Sequence, residues 1–317
     1  MQPLAPAELL IIADDLTGAL EAGALLAGEG ISTLITLGDE LAANAANVCD
    51  LETRHLSNAG AARITGDLAH RFTGRYLFKK TDSTLRGPIG AELNAIMRAR
   101  PHSSLIYAPA YPMLGRTVRN GRLYVDGSPV EQTPFARDPA NPVSSGCIAD
   151  HLACSATLIH DAGELTRHLA DAPMPTLFVC DSETESDIGG IVEVALRQAI
   201  PPLLAGPASV ARYLARLLPV ARTAAPFTAS ANRALVVNGS LHPASRAQTV
   251  RAFPLLDSHG WCLLETPAGA QPADFAAEAK RIVAESRPDA LILFGGHTAH
   301  AVLQALGIRT LTPLGEL

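Results

Sequence analysis

Short apolar runs alternate along the chain with longer segments in which apolar residues recur every three or four positions. The short runs have the length of buried strands, and the longer segments have the period of helices that pack on one face. The strands predicted in the first part of the chain are residues 8–13, 31–37, 76–78, 104–108, 176–180 and 202–205. The predicted helices are residues 17–27, 89–100, 163–170, 188–199 and 209–217. This order of elements predicts a mainly parallel sheet flanked by helices.

The alternation is interrupted at residues 219–233, which contain two prolines and show no periodicity. We interpret this segment as an interdomain linker. The alternation then resumes, with predicted strands at 234–237, 261–265, 290–294 and 308–311 and predicted helices at 243–251, 272–286 and 298–306. A chain of 317 residues also exceeds the length at which one core usually stops growing. We therefore predict an α/β protein of two domains, residues 1–222 and 233–317.

The composition indicates which classes of protein and which partners this chain can have. Hydrophobic residues make up 48% of the chain and charged residues 18%, which is enough apolar surface for a sizeable core. The net charge of −6 argues against nucleic acid as a partner, because phosphate backbones are bound by basic surfaces. We find neither a signal-peptide pattern nor an apolar run of the ~18 residues needed to cross a bilayer. We therefore expect a cytoplasmic protein with no membrane partner.

The cysteines support the same expectation. They are Cys49, Cys147, Cys154, Cys180 and Cys262, and no two of them form a CxxC pair. An odd number without that spacing predicts reduced thiols rather than a zinc site or a disulfide framework.

Residues 11–23, IIADDLTGALEAG, place two carboxylates between a predicted strand and a predicted helix. Ligands of open α/β sheets bind beyond the carboxyl ends of the strands. Asp15 can therefore bind a hydroxyl group or take a proton from it as a general base. The alternative is that Asp14 or Asp15 only caps the helix.

Residues 79–93, KKTDSTLRGPIGAEL, concentrate cations, an aspartate and hydroxyl groups just before another helix. Lysine and arginine suit a carboxylate, and aspartate and serine suit hydroxyl groups. The pattern is therefore typical of a site for a hydroxylated acid. The alternative is a capping box with exposed charges and no ligand.

Residues 107–127 predict a loop and a hairpin that turns at Asn120 and Gly121. Arg116 and Arg119 of this hairpin can approach a carboxylate or a phosphate, or can be surface residues. The same two interpretations apply to Arg54 in the polar segment ETRHLS.

Two strands of the second domain run into glycine, in VVNGSLHPASRAQ at 236–248 and LILFGGHTAHAVL at 291–303. Glycine lets the backbone approach a phosphate closely, and the N-terminus of the following helix adds positive potential. Neither segment is a Walker A motif. His297 and His300 are spaced i, i+3, which provides too few ligands for a metal site.

Together, these motifs resemble the four-carbon acid sugar kinase family. The matching segments are, in chain order, ADDLTGA, TRH, KKTDSTLRG, GRTVRNGRLYVDG, TPFARDP at 133–139, GPASVARYLA at 206–215, NGS at 238–240 and GGHTA at 295–299. The resemblance spans essentially the whole chain in the right order, and KKTDSTLRG with GRTVRNGRLYVDG is its most specific part.

The resemblance implies an N-terminal sugar-acid domain, a C-terminal ATP domain and an active site in the cleft between them. It implies ATP-dependent phosphorylation of the terminal (4-) hydroxyl of D-threonate, D-erythronate or a 3-oxo-tetronate, with Mg²⁺ as phosphoryl transfer generally requires. We expect the small-molecule acid and ATP to be the partners, and a homodimer is a further possibility. The Mg²⁺ ligands cannot be assigned from the sequence.

The family's site residues are carried over by position. Those that match substrate-binding positions are Asp15, Arg54, Lys80, Asp82 and Ser83, to which we add their neighbours Thr81 and Arg86. Those that match ATP-binding positions are Ser240, Gly295, Gly296 and Thr298, to which we add His297. Either Asp15 or Asp82 is the expected catalytic residue, with Asp15 preferred.

The chain departs from the family pattern in two places. His297 stands where the family commonly carries an acidic residue. The family also continues beyond a GEL-like segment into a KSGGFG-like loop, whereas this sequence ends at Leu317. We therefore expect an incomplete C-terminal domain, with impaired phosphate binding unless another segment replaces the loop. A non-catalytic sugar-acid sensor is the alternative function; a dehydrogenase is disfavoured because no GxGxxG follows a strand.

Overall fold

A computed structural model describes residues 8–152, 154–171, 173–222, 230–240, 243–258, 261–265 and 272–315. The chain divides into two compact units, of which the first comprises Met1–Ala225 with Thr312–Leu317 and the second Pro226–Leu311. Residues 223–229 of the predicted linker, residues 241 and 242, and residues 316 and 317 lie outside the described residues. None of the helices in the described ranges combines the length and the apolar character needed to cross a membrane.

The first unit is an α/β structure. Its strands are β1 (Leu9–Ala13), β2 (Thr33–Leu37), β3 (Ala46–Asp50), β4 (Tyr76–Lys80), β5 (Leu105–Tyr107), β6 (Arg116–Arg119), β7 (Arg122–Val125), β8 (Ser128–Pro129), β9 (Thr157–Ile159), β10 (Leu177–Cys180) and β11 (Leu203–Gly206). Its α-helices are α1 (Leu16–Gly28), α2 (Asn58–Arg71), α3 (Ile89–Ala99), α4 (Ala162–Asp171), α5 (Glu185–Leu196) and α6 (Ala208–Leu217).

The main sheet of this unit is parallel and runs in the order β2-β3-β1-β4-β11-β5-β10-β9. The five residues of β1 are all buried, as expected for a central strand covered on both faces. The pairing register places Ala13 of β1 beside both Asp50 of β3 and Lys80 of β4. The loops that follow these three strands therefore emerge at the same edge of the sheet.

A small antiparallel sheet of β6, β7 and β8 contains the predicted hairpin. Asn120 and Gly121 both have positive φ, which a two-residue hairpin turn of the primed type requires. Their backbone N–H groups donate to the two carboxylate oxygens of Asp181, each at 2.8 Å. The predicted turn is therefore confirmed.

The second unit is a smaller α/β structure. Its elements are β12 (Ala234–Asn238), α7 (Pro243–Ser258), β13 (Cys262–Glu265), α8 (Pro272–Ser286), β14 (Ala290–Phe294), α9 (Gly296–Ala305) and β15 (Thr310–Leu311). The strands β13, β12 and β14 pair in that order and are parallel. Leu235 and Val237 of β12 pack with Phe275 and Ala279 of α8 and with Val302 of α9.

The predicted α/β class with mainly parallel sheets is confirmed, but the hydrophobic pattern missed β3, α2 and β9. In β3 a polar residue, Asn47, interrupts the apolar run, yet the whole strand is buried. The Asn47 amide is satisfied by the backbone of Ala42, from whose N–H it accepts at 2.8 Å and to whose carbonyl it donates at 3.0 Å. A buried amide whose oxygen and nitrogen are both hydrogen-bonded is tolerated in a core. The polarity of Asn47 was therefore not a valid reason to leave this strand out of the prediction.

Candidate functional site

Arg54 lies in the loop after β3 and joins three aspartates at the carboxyl edge of the sheet. Its Nε donates to Asp14 Oδ2 at 2.7 Å, and its Nη1 donates to Asp15 Oδ2 at 2.7 Å. Its Nη2 lies 3.6 Å from Asp82 Oδ1. Burial opposes the charge of the guanidinium, but the three carboxylates raise the pKa of Arg54 above its ordinary value. The loops after β1, β3 and β4 are thereby tied together by one cation.

Asp82 organises the loop that follows β4. Its Oδ2 accepts from the Thr84 N–H at 2.9 Å, the Thr84 hydroxyl at 2.6 Å, and the N–H and Nε of Arg86 at 3.2 and 3.0 Å. Its Oδ1 accepts from Arg86 Nη2 at 2.7 Å. Burial alone would raise the pKa of Asp82, but these donors and the charges of Arg54 and Arg86 hold it well below its usual range. Asp82 is therefore an ionised anchor of the loop.

Arg86 connects this loop to the TPFARDP segment. Its Nη1 donates to Asp138 Oδ2 at 3.1 Å. Its guanidinium lies over the ring of Phe135, 5.5 Å from the centroid. Burial opposes its charge, yet the hydrogen bonds to Asp82 raise the pKa of Arg86. Asp138 and Phe135, which the sequence analysis did not assign to the site, therefore fix the orientation of Arg86.

The two lysines of β4 have different surroundings because successive side chains of a strand point to opposite faces. Lys79 forms a buried ion pair with Glu92 of α3, with Nζ 2.9 Å from Oε1. Lys80 Nζ lies 3.8 Å from Glu21 Oε2 and donates to the carbonyl of Thr81 at 3.3 Å. Of this pair, only Lys80 belongs to the candidate site.

Asp15 caps α1 and also faces the candidate site, so the two interpretations of the sequence are compatible. Its Oδ1 accepts from the N–H of Gly18 at 2.8 Å, while its Oδ2 holds Arg54. Gly18 leaves the space that Asp15 and Lys80 occupy. A Cβ at Gly18 would lie 2.8 Å from Asp15 Oδ1 and 2.9 Å from Lys80 Nζ.

Asp50 and Glu52 add two carboxylates to the same edge, and the sequence analysis missed both. Asp50 ends β3, and its Oδ1 accepts from the Glu52 N–H at 3.2 Å. Glu52 Oε1 accepts from the Leu16 N–H at 2.9 Å. Burial, followed by the charges of Glu52, Asp15 and Asp14, raises the pKa of Asp50 to about 8. Recognition of β3 as a strand would have placed Asp50 level with the end of β1.

Glu21 and Tyr111 form a further link that the sequence analysis missed. The Tyr111 hydroxyl donates to Glu21 Oε1 at 2.9 Å. Burial and the neighbouring Glu21 charge raise the pKa of Tyr111 to about 12, so the hydroxyl stays protonated. The spacing of Gly18 and Glu21 at i, i+3 on one helix face was the available signal.

The structure thus joins Asp15, Arg54, Asp82 and Arg86 through direct contacts, and Lys80 Nζ and Asp15 Oδ1 lie beside the same glycine, Gly18. Thr81 and Ser83 lie in the same loop. Thr81 is buried and its N–H donates to the carbonyl of Gly206 at 2.9 Å, whereas Ser83 is half-buried. A contact of Thr81 or Ser83 with a ligand stays a prediction.

In the second unit the loops after β12 and β14 lie against one another. The Gly239 N–H donates to the carbonyl of Phe294 at 3.1 Å, and a Cβ at Gly239 would lie 1.8 Å from Thr298 Oγ1. A Cβ at Gly295, whose φ is +95°, would lie 3.3 Å from the Ser240 nitrogen. Four of the predicted ATP-binding residues, Ser240, Gly295, Gly296 and Thr298, therefore lie in two neighbouring loops and the first turn of α9.

Gly295 is the N-cap of α9 and offers no side-chain hydrogen bond to the first turn. The N–H groups of such a turn are suited to an anion. His297 belongs to this turn and is exposed. Its role stays a prediction.

Comparison with known proteins identifies the family of the chain. Residues 9–214 match the family described as the sugar-binding N-terminal domain. The chain is 31% identical over 266 residues to the D-threonate kinase of Salmonella typhimurium, covering 78% of this chain and 61% of that relative. It is 29% identical over 332 residues to the D-erythronate kinase of Heliobacterium modesticaldum, covering 98% of this chain and 72% of the relative.

A solved structure from Bordetella bronchiseptica, described as a domain of unknown function with bound citrate and as a domain-swapped dimer, shares 28% identity with this chain. The TM-score is 0.62, and the match covers 96% of this chain and 86% of the other. The chain spans less than two thirds of the length of the D-threonate kinases that it matches. The family match nevertheless covers well over half of the chain, so this protein belongs to the four-carbon acid sugar kinase family.

Proposed function

We propose that this chain supplies the acid-binding and nucleotide-binding parts of an ATP-dependent kinase that phosphorylates the terminal hydroxyl of a four-carbon sugar acid. D-threonate and D-erythronate are the candidate acids, because two relatives carry those names. The observation that carries the proposal is the cluster in which Arg54 gathers Asp14, Asp15 and Asp82. Carboxyl groups held close together suit a polyol, because their oxygens accept hydrogen bonds from hydroxyl groups.

In this proposal Asp15 orients the attacking hydroxyl or takes its proton. The Asp15 side chain is 21% exposed, against 5% for Asp82. Both oxygens of Asp82 already accept hydrogen bonds from its own loop, and its lowered pKa makes it a weak base. We therefore assign the hydroxyl to Asp15 and the positioning of the loop to Asp82.

We propose that Arg54 positions aspartates of the protein, whereas a free cation would bind the carboxylate of the ligand. Its Nε and Nη1 are already hydrogen-bonded to Asp14 and Asp15, so we assign it to holding these aspartates in place. Lys80, whose contact with Glu21 is long at 3.8 Å, is proposed to face the acid. Thr81 and Ser83 are proposed to add hydroxyl contacts from the loop after β4.

ATP is proposed to bind to the second unit through Ser240, Gly295, Gly296, His297 and Thr298. The fit is supported by the first turn of α9, which has no side-chain cap and begins beside Ser240. Mg²⁺, when bound with ATP, would neutralise charge on the phosphates, as phosphoryl transfer generally requires. We assign no residue of this chain to the metal.

The deciding experiment is a coupled assay of ADP release by the purified full-length gene product. The acids to compare are D-threonate, L-threonate, D-erythronate and 3-oxo-tetronates, each with ATP and Mg²⁺. We expect ADP release with at least one of them. Calorimetric binding of an acid without turnover would instead favour a sugar-acid sensor, and the absence of both binding and turnover would remove the proposal.

We also propose a homodimer, supported by the Bordetella bronchiseptica structure, which is described as a domain-swapped dimer. Light scattering coupled to size-exclusion chromatography measures the mass directly. A mass of 33.2 kDa, that of one chain, would contradict the dimer.

A further inference from the structure

The cations nearest to the proposed acid site are already neutralised by carboxylates of the protein. Arg54 is hydrogen-bonded to Asp14 and Asp15. Arg86 is bound by Asp82 and Asp138, with Nη2 and Nη1 each engaged. A ligand carboxylate that approached either guanidinium would meet two protein carboxylates already in place, and like charges at that distance repel. Besides Lys80, whose Nζ lies 3.8 Å from Glu21 Oε2, a cation that no protein carboxylate binds would strengthen the hold on an acid.

Arg116, the first residue of β6, is a cation of this kind. Within the described ranges, no carboxylate oxygen lies within 4.0 Å of its guanidinium, whereas Arg119 on the same strand pairs with Glu183 at 3.5 Å. The Arg116 Nε atom is buried and has no hydrogen-bond acceptor among the residues that the structure describes, and Nη1 donates to the Leu114 carbonyl at 3.2 Å. A buried N–H without an acceptor is costly, and a ligand oxygen would relieve that cost.

The side chain of Arg116 lies against Phe135, the ring that also contacts Arg86. Its guanidinium carbon lies 5.8 Å from the centroid of the Phe135 ring, and that of Arg86 lies 5.5 Å from the same centroid. Both distances are within the range of cation–π attraction. One aromatic ring therefore positions two arginines, of which Arg86 is bound by Asp82 and Asp138 and Arg116 has no carboxylate partner among the described residues.

The backbone of Arg116 is connected to the candidate site through Tyr111. The Tyr111 N–H donates to the Arg116 carbonyl at 2.8 Å, and the Arg116 N–H donates to the Tyr111 carbonyl at 3.1 Å. The Tyr111 hydroxyl in turn holds Glu21, the residue beside Lys80. The position of Arg116 is thus fixed from both the Arg86 side and the Lys80 side of the site.

We propose that Arg116 binds the carboxylate of the sugar acid, through its free Nε–H and the neighbouring guanidinium donors. This inference rests on the proposed function and adds to it the residue that recognises the acid group. The planar fork of a guanidinium matches a carboxylate in two parallel hydrogen bonds, which a lysine cannot reproduce. Arg116 thereby distinguishes the acid from the neutral polyol of the same length.

Isothermal titration calorimetry with D-threonate and with its neutral counterpart D-threitol tests this inference. For Arg116→Gln we expect D-threonate to bind about 10- to 100-fold more weakly, the range of a lost hydrogen bond to a charged group. D-threitol, which has no carboxylate, should bind the variant and the wild type alike. Arg116→Lys should fall between the two, because it keeps the charge but not the fork.

Arg119→Gln is the matched control. It removes a cation from the same strand, but one that is 47% exposed, paired with Glu183 and stacked on Tyr124. We expect its affinity for D-threonate to stay within about twofold of the wild type, as for an exposed ion pair. Equal losses in Arg116→Gln and Arg119→Gln, or no loss in either, would overturn the assignment of Arg116.

The same titrations separate this inference from the function on which it rests. If the wild type binds none of the four-carbon acids, the proposed function fails and the role of Arg116 fails with it. If the wild type binds D-threonate and Arg116→Gln binds it equally well, only the role of Arg116 fails. If Arg116→Gln does not fold, Arg116→Lys still decides, because unchanged affinity in that variant would exclude the bidentate contact.

Discussion

Lys79 and Glu92 form an ion pair in which neither side chain is more than 1% exposed, with Nζ 2.9 Å from Oε1. Glu92 Oε1 also accepts hydrogen bonds from the hydroxyls of Thr53 and Thr65, at 2.6 and 3.2 Å. This oxygen therefore joins α3 to β4, to α2 and to the residue before Arg54. Through the hydrogen bond from Thr53, the pair stabilises the loop that contains Arg54.

Glu92→Gln should destabilise the first unit by about 3–5 kcal/mol, because it leaves the Lys79 charge buried and uncompensated. Hydrogen exchange of β4 and α3 peptides in urea measures this unit separately from the second. Asp67→Asn is the control, since its partner Arg63 and Asp67 itself are 70% and 65% exposed. That change should cost about 0–1 kcal/mol. Equal urea midpoints for the two variants would contradict a stabilising role of Glu92.

Gly18→Ala should impair acid binding more than it impairs folding. The new methyl group would lie 2.8 Å from Asp15 Oδ1 and 2.9 Å from Lys80 Nζ, so both side-chain ends must move. We expect KM for the acid to rise at least about 10-fold, as for one lost charged hydrogen bond. Gly28→Ala in the same helix meets no atom within 4 Å and should leave KM unchanged while stabilising the helix slightly. Equal KM values in the two variants would exclude steric control of the site by Gly18.

Asp15→Asn and Asp82→Asn should separate chemistry from loop support. Asn caps a helix about as well as Asp, so Asp15→Asn should lose the charge that pairs with Arg54 but keep the cap, while kcat falls by roughly 10²–10⁴. Asp82→Asn should lower stability more, because the ionised carboxylate accepts from Thr84 and from Arg86. Parallel measurement of kcat and of urea midpoints checks both. A larger kcat loss in a fully stable Asp82→Asn would reverse the assignment.

The sequence predicted the parts of the site that follow recognisable strands. Asp15 and Asp82 follow apolar runs within a few residues, and their strands lie next to each other in the sheet. Asp50 was not predicted, because the polar residue Asn47 interrupts the apolar pattern of β3. The hydrogen bonds that allow Asn47 to be buried come from a backbone group, which the sequence pattern does not reveal. Arg86 and Arg116 share Phe135 although they lie on segments far apart in sequence, and no local pattern encodes that contact.

Asp50 should make the first unit less stable as the pH rises from about 4 to about 8. Its pKa is raised to about 8 in the folded protein from an ordinary 3.8, so the folded state binds more protons in this window. Stability is therefore lost on deprotonation, at about 1.4 kcal/mol for each pKa unit of the shift. Asp50→Asn keeps the oxygen that accepts from the Glu52 N–H and should remove this pH dependence. Urea midpoints across the window test it, and parallel curves for the two proteins would contradict it.

Gly239 and Thr298 should behave as one packing unit in the second domain. A Cβ at Gly239 would lie 1.8 Å from Thr298 Oγ1 and 2.7 Å from both Thr298 Cβ and Cγ2. Gly239→Ala should therefore push the loop after β12 away from α9 and cost about 1–3 kcal/mol, the usual range for overpacking. Trp261 is the chain's single tryptophan and lies in this unit, so its fluorescence in urea reports the unfolding of this unit directly.

Thr298→Gly removes Oγ1, Cβ and Cγ2 of Thr298, and it therefore tests whether Gly239 and Thr298 are energetically coupled. Alone, it should destabilise α9 by about 1 kcal/mol, the helix penalty of glycine. Combined with Gly239→Ala, it should restore much of the lost stability, because the new methyl group then occupies the space of the deleted side chain. Additive losses in the double variant would show that the two residues are independent. If Ser240 and the first turn of α9 bind ATP as proposed, the affinity for ATP should fall in Gly239→Ala, and it should stay below that of the wild type in the double variant, which lacks the Thr298 hydroxyl.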